Sequence, residues 1–122
     1  MKRFDIRDRN GNLHFTRWRL IELPWFGLYI HRILLPDGDL HQHNHPWSFW
    51  SLILWGSYLE QVGDRLNERQ SGSISFRTAE KYHRVVRTNG AWTLILRGPR
   101  RPNWGYDVDG KHVESSEYRR TR

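Results

Sequence analysis

Seven histidines stand at positions 14, 31, 41, 43, 45, 83 and 112 of this 122-residue chain, and three of them crowd into Leu40-His41-Gln42-His43-Asn44-His45-Pro46-Trp47. On an extended strand alternate side chains share a face, so a strand over Leu40 to His45 sends His41, His43 and His45 to one side. Two imidazoles at i and i+2 can bind one divalent ion. A stable site needs at least a third protein ligand, and a site that performs chemistry keeps positions open for water or substrate. His83 is the best distant candidate, because it begins the apolar run His83-Arg84-Val85-Val86 after a turn. The chain has no cysteine. Disulfides, thiolate ligation and a cysteine nucleophile are therefore excluded, and any metal must be held by histidine and carboxylate.

The plain readings of these residues stand beside the chemical ones. A histidine in a β protein is ordinarily a surface or hydrogen-bonded residue, and His14, His31 and His112 are assigned to that class. His41 shares the face of His43 and His45 by parity; it is either a ligand or a residue supporting the ligands at the pocket rim. Glu60 is the only carboxylate near the histidine pair. It could replace a ligand or act as a general base, but its default reading is a solvent-facing strand residue.

The elements that must position these side chains are strands. Gly and Pro recur every ten residues or so, separated by short runs rich in aromatic and β-branched residues, the pattern of an all-β sandwich or barrel. Strands are predicted near Phe4 to Arg7, Leu13 to Arg19, Gly27 to Leu34, Leu40 to His45, Phe49 to Trp55, Ser57 to Gln61, Ser73 to Phe76, His83 to Val86, Trp92 to Arg97, Trp104 to Val108 and Lys111 to Val113. Asn10-Gly11 and Asp109-Gly110 suit two-residue hairpin turns, and Pro36-Asp37-Gly38 suits a turn as well. Gly63 to Ser71 is predicted as one long polar loop. Residues 1–114 make one domain, and 115–122 read as a charged, frayed tail. A chain of this length builds one modest core, and Trp18, Trp47, Trp50, Trp55, Trp92 and Trp104 are expected to fill it, with Trp47 at the pocket wall.

Lys and Arg total 20 against 13 Asp and Glu, giving a net charge of +7, an isoelectric point near 10.4 and a mean hydropathy of -0.83. An anionic partner fits this balance, whether a small metabolite or, less readily, nucleic acid. The arginines are scattered and form no basic helix. Interleaved pairs such as Arg17-Trp18-Arg19 and Arg101-Pro102-Asn103-Trp104 could stack on bases. The longest apolar run, Leu52 to Trp55, is far too short for a membrane span, and the expectation is a cytoplasmic protein. No phosphate-binding loop, dinucleotide fingerprint or serine nucleophile elbow is present, so ATP hydrolysis, NAD chemistry and serine hydrolysis are unsupported.

The histidines and glycines together resemble the cupin superfamily. Its first motif has two His separated by one residue, then a Glu four or five positions on, then a Gly seven positions further. His43, His45 and Gly56 match, and the Glu position falls on Phe49. Its second motif runs from a Gly to a His, matched by Gly72 and His83, with Thr78 and Glu80 where Pro and Gly are usual. More closely, Thr16-Arg17-Trp18-Arg19-Leu20-Ile21, His43-Asn44-His45-Pro46-Trp47, the segment from Ile53 to Glu60 and Trp104-Gly105-Tyr106 are similar to a group of small cupin-like proteins from bacteria and phages whose centre reads His-Asp-His-Pro-Trp.

The resemblance implies an antiparallel jelly-roll barrel holding one divalent ion on His43, His45 and His83. The missing Glu makes the set resemble three-His cupins such as the thiol dioxygenases. That favours Fe(II) over Zn, Ni, Mn or Cu, and it implies a dioxygenase-like reaction on a small anionic substrate held by an arginine, for which Arg84, Arg97 and Arg100 are candidates. Trp47, Phe49 and Trp104 are the expected pocket residues. A metal- or ligand-binding module without turnover is the alternative, and a basic nucleic-acid-associated protein the second. Homodimerisation through the N-terminal third is expected, since Phe4, Ile6, Phe15, Trp18, Leu20, Trp25 and Phe26 offer more apolar area than a small barrel needs.

Overall fold

The computed structural model describes residues 2–7, 10–36, 41–101 and 104–121. Its strands are β1 (Lys2–Arg7), β2 (Leu13–Glu22), β3 (Gly27–Ile33), β4 (Phe49–Trp55), β5 (Ser57–Val62), β6 (Arg65–Gln70), β7 (Ile74–Arg77), β8 (Arg84–Thr88), β9 (Trp92–Arg97), β10 (Gly105–Val108) and β11 (Lys111–Glu114), followed by helix α1 (Ser115–Thr121). All pairings are antiparallel: a six-stranded sheet ordered β1-β2-β3-β9-β4-β7, a three-stranded sheet ordered β6-β5-β8, and the hairpin β10-β11. Among the described residues no helix is long and apolar enough to cross a membrane.

Alternation explains the core. On β4, Phe49, Ser51 and Ile53 are buried while Trp50 and Leu54 are exposed; on β9, Thr93, Ile95 and Arg97 are buried while Leu96 is exposed. Period-2 side-chain placement turns one sheet face toward the three-stranded sheet and the other toward solvent. Ile53, Tyr58, Val85 and Ala91 pack between the two sheets, with Ile33 against them. Tyr29, Trp47, Phe49 and Ile95 form a second buried cluster.

Gly56 fixes the turn between β4 and β5. Its φ is +82°, and a Cβ there would approach Ala91 Cα to 3.0 Å. Only glycine meets both demands without strain. The Asp109-Gly110 turn between β10 and β11 has φ of 54° and 82° at its two central residues, the two positive values a type I′ hairpin requires, and Gly11 (φ 83°) serves the Asn10-Gly11 turn.

Four expectations need correction. The segment predicted as a polar loop over Gly63 to Ser71 contains β6, paired with β5 along its whole length. It is an edge strand whose side chains are mostly exposed, so no apolar alternation betrays it. The strand predicted over Leu40 to His45 reduces to a bridge at His43, which pairs with both His83 and Tyr106; Leu40 lies outside the described residues, as do Asp37 and Gly38 of the Pro36-Asp37-Gly38 turn. The tail expected to fray is instead α1, because Tyr118 is buried and stacks on Tyr106 at 3.8 Å. Packing of one aromatic ring stabilises a helix too short to persist alone.

The tryptophans divide differently from expectation too. Trp47 is in the core, whereas Trp50 and Trp55 are 51% and 60% exposed. Trp18 and Trp92 stack on each other at 5.3 Å on the outer face of the large sheet.

Candidate metal centre

The first ligand candidate sits where two chain segments lock together. His43 N–H donates to His83 C=O (2.9 Å) and His83 N–H donates to His43 C=O (2.8 Å), so backbone pairing alone puts the two imidazoles side by side. Asn44 anchors the same stretch: its N–H donates to Gly105 C=O, and its side-chain Oδ1 accepts from Gly105 N–H at 2.7 Å. His45 N–H donates to Ala79 C=O, and Ala79 N–H donates in turn to Ser48 Oγ. Pro46 C=O accepts from Arg101 N–H. The motif therefore needs no regular strand, since its backbone is tied to three neighbouring segments.

His43, His45 and His83 come together with one ring nitrogen each, all within 4.8 Å of one another. His83 Nε2 lies 3.1 Å from His45 Nε2. Two donors at right angles on one ion, each about 2.1 Å from it, stand about 3 Å apart, so this spacing suits adjacent coordination positions. The His43 and His45 rings are nearly parallel at 5.1 Å. Phe49, at the position of the usual Glu, is buried and stacks on the His45 ring at 5.0 Å. It adds an apolar wall and no ligand. His45 is held well below its ordinary pKa, first by burial and then by the neighbouring His83 and His43. It is thus neutral and has a lone pair to offer.

Glu60 is not the solvent-facing residue of the default reading. It is 2% exposed on β5, where its Oε2 accepts from His83 Nδ1 at 2.6 Å and its Oε1 accepts from Arg77 NH2 at 2.7 Å. Burial alone would raise Glu60, but the hydrogen bonds and charges of His83 and Arg77 outweigh it and hold the carboxyl below its ordinary value. The contact fixes the His83 proton on Nδ1 and turns Nε2 toward the other two rings, which is how carboxylates orient metal-binding imidazoles. The parity of β5 carried the signal: Tyr58 and Glu60 are both buried, and Tyr58 is of the apolar type that should face inward.

A cavity of about 1020 Å³ opens from the three imidazoles, lined among others by Phe15, Arg17, His31, His41, Trp47, Phe49, Arg100, Trp104, Tyr106 and Tyr118. Of the pocket residues expected from sequence, Trp47, Phe49 and Trp104 line it, and so does the candidate Arg100. Arg84 and Arg97 do not. Arg84 Nε donates to Gln61 Oε1 at 2.7 Å. Arg97 is buried in a separate cleft beside Glu22, donating to Tyr29 Oη, Glu22 and Leu23 C=O. His41 stands outside the three-ring cluster, its Nδ1 3.0 Å from Tyr118 Oη.

Sequence reasoning missed Arg17. On β2 it pairs with His31 on β3, and both face inward. Arg17 Nε–H donates to His31 Nε2 at 2.9 Å, and the guanidinium lies 4.9 Å from the Tyr29 ring centre and 6.0 Å from that of Trp47. Burial brings Arg17 down to about 10, so it stays charged at neutral pH. His31, read as a surface or hydrogen-bonded histidine, is buried as well as bonded. His14 also lines the cavity, and His112 is bonded to Tyr82.

His31 is held well below its ordinary value, chiefly by burial and then by the Arg17 charge. It is neutral in the folded chain and accepts at Nε2, so its proton sits on Nδ1. In the unfolded chain it titrates near 6.5. Between 6.5 and the lower folded value the unfolded state binds a proton that the folded state does not, so stability is full above that window and declines as pH falls through it. Thermal melts from pH 7.5 to 5.0 are expected to show this decline, with His31 contributing up to about 1.4 kcal/mol per pH unit. The His31→Gln protein should lose stability less steeply over the same range; an unchanged slope would exclude His31 as a source.

No family model matches the sequence, and no curated protein matches it. Solved structures do: a cupin-2 domain from Rhodospirillum rubrum superposes with a TM-score of 0.66 at 11% identity, covering 98% of this chain and 79% of that one. The chain has a cupin fold. An RmlC-like cupin from Shewanella frigidimarina aligns at 17% identity over 80% of this chain and 86% of its own, with a TM-score of 0.58. The polyketide cyclase RemF from Streptomyces resistomycificus aligns at 22% identity over 88% of this chain and 80% of its own, with a TM-score of 0.63.

Proposed function

We propose that this chain is a small metal-dependent cupin that binds one divalent ion on His43, His45 and His83 and acts on a small anionic molecule in the adjoining cavity. The observation that carries the reading is the convergence of three ring nitrogens with Glu60 behind His83. Imidazole suits Fe, Ni, Cu and Zn; the three-His set with no carboxylate ligand favours Fe(II), which would supply O₂ chemistry at its remaining positions. This chain's own residues do the rest. Glu60 and Arg77 hold His83 in one tautomer, Phe49 and Trp47 exclude water from one side, and Arg17 and Arg100 supply positive charge within the cavity. A binding module without turnover is the second reading. Loading the protein with Fe(II) and following O₂ consumption across thiols, diketones and amino acids separates the two: substrate-dependent uptake supports the enzyme, and none across the panel supports the module. The nucleic-acid reading gains nothing from Arg17-Trp18-Arg19, because Arg17 faces the cavity and Trp18 is stacked on Trp92.

A homodimer is also proposed, through a face wider than the N-terminal third. Phe15 lines the cavity and Trp18 packs on Trp92, whereas Trp50, Phe76, Leu96 and Ile74 stand together on the outer face of the large sheet, where Trp50 is registered with both Phe76 and Leu96. A contiguous apolar face of this kind is rare on a monomer and of the sort that dimers cover. Sedimentation at micromolar concentration is expected to give a dimer, shifted toward monomer by Trp50→Glu; a monomeric wild type would contradict it.

A further inference from the structure

Arg17 is a half-buried cation that meets no anion among the described residues. Among the described residues no carboxylate forms an ion pair with it: Glu22 is engaged by Arg97 and Arg19, and Glu60 by Arg77. Among the described residues the only side-chain hydrogen bond of Arg17 runs from Nε to a neutral imidazole, and its guanidinium lies over aromatic rings. A guanidinium taken out of water without a partner is costly, and its planar fork matches a carboxylate. The cavity it faces is at the upper end of the usual 300–1,000 Å³ for ligand sites. An amino-acid-sized molecule would leave most of it unfilled. Its walls carry the rings of Phe15, Trp47, Phe49, Trp104, Tyr106 and Tyr118, and its polar groups include the histidine cluster, Arg17 and Arg100.

We propose that the cavity takes a planar aromatic molecule bearing one carboxylate, the rings against the aromatic walls and the carboxylate on Arg17. The inference rests on reading the cavity as the site of an anionic ligand and names the class of that ligand; it does not depend on which metal, if any, the histidines hold. His31 is the positioning residue. By accepting at Nε2 it holds Arg17 Nε, so the terminal nitrogens are left to meet the ligand.

The test is calorimetric titration of EDTA-treated protein with 2-naphthoate, 2-naphthamide and cyclohexanecarboxylate, so that no carboxylate can bind through metal. Expected is one 2-naphthoate per chain, with the neutral amide and the non-aromatic acid each at least tenfold weaker. The Arg17→Gln protein should bind 2-naphthoate at least tenfold more weakly, and Arg17→Lys should fall between, both with the wild-type circular dichroism spectrum and both still taking up metal as the wild type does. Equal affinity for naphthoate and naphthamide, or an unchanged affinity in Arg17→Gln, would overturn the proposal. Equal affinity for cyclohexanecarboxylate would overturn the aromatic class while leaving an anionic ligand in place. No binding of 2-naphthoate at millimolar concentration would overturn it outright. Elemental analysis of untreated protein reads the metal assignment separately, so a failure there is not confused with a failure here.

Discussion

Replacing His83 by Ala is expected to abolish stoichiometric metal binding while leaving the β-sheet spectrum intact. His83 is the only ligand candidate of the three outside the His43-Asn44-His45 segment, and it is tied to that segment through the backbone, which a side-chain truncation does not touch. Two imidazoles then remain, one short of the three protein ligands of a catalytic divalent site. The same loss is expected of His43→Ala and His45→Ala. The His41→Ala protein is the contrast: His41 bonds to Tyr118 and stands apart from the cluster, so near-full metal content should survive. The measurement is elemental analysis of all four proteins after identical loading. Full retention in the His83 variant would remove it from the ligand set, and loss in the His41 variant would move the motif two residues earlier.

Glu60→Ala carries the second large effect, on stability and on metal together. Glu60 and Arg77 form an ion pair at 2.7 Å with little exposure on either side, and removing the carboxylate leaves the guanidinium uncompensated. Breaking a buried pair costs about 3–5 kcal/mol, a large share of the 5–15 kcal/mol that holds a domain together. Loss of an outer hydrogen-bond partner to a ligating histidine also weakens metal by about 10–100-fold. Glu60→Gln keeps an acceptor for His83 Nδ1–H but no charge, so it should weaken metal less and still destabilise. Urea unfolding and metal titration of both variants would read the two effects apart. A Glu60→Ala protein as stable as the wild type would show that the carboxylate is not part of a buried network.

Most of the strand positions were legible in the sequence because the strands are short, apolar on alternate residues and separated by glycine turns. The Asn10-Gly11 and Asp109-Gly110 turns, and strands β4, β5 and β9, needed nothing else. Three features were not legible, each because a distant contact decides it. β6 is polar on both faces and is a strand only because β5 offers it a ladder. Helix α1 exists because Tyr118 finds Tyr106, in another element. The role of Arg17 follows from the register of β2 against β3, which sets it beside His31, and no one-dimensional pattern contains a register. Glu60 lies between these cases: its inward parity was readable, but a charged residue facing the core becomes reasonable only once Arg77 and His83 are seen to meet it. The grouping of the three histidines was anticipated partly from local spacing, which pairs His43 and His45, and for His83 from the resemblance, whose motifs place Gly56 and Gly72 ahead of it.

The most direct test of the account is the metal content of the wild-type protein, purified without chelators, together with its melting temperature before and after EDTA. A ligand bound to the folded state at about 100 times its dissociation constant stabilises by about 2.7 kcal/mol. The account predicts close to one divalent ion per chain and a clear fall in melting temperature when it is stripped, restored by adding the same ion back. Trace metal at most after loading, with a melting temperature that EDTA does not move, would contradict it.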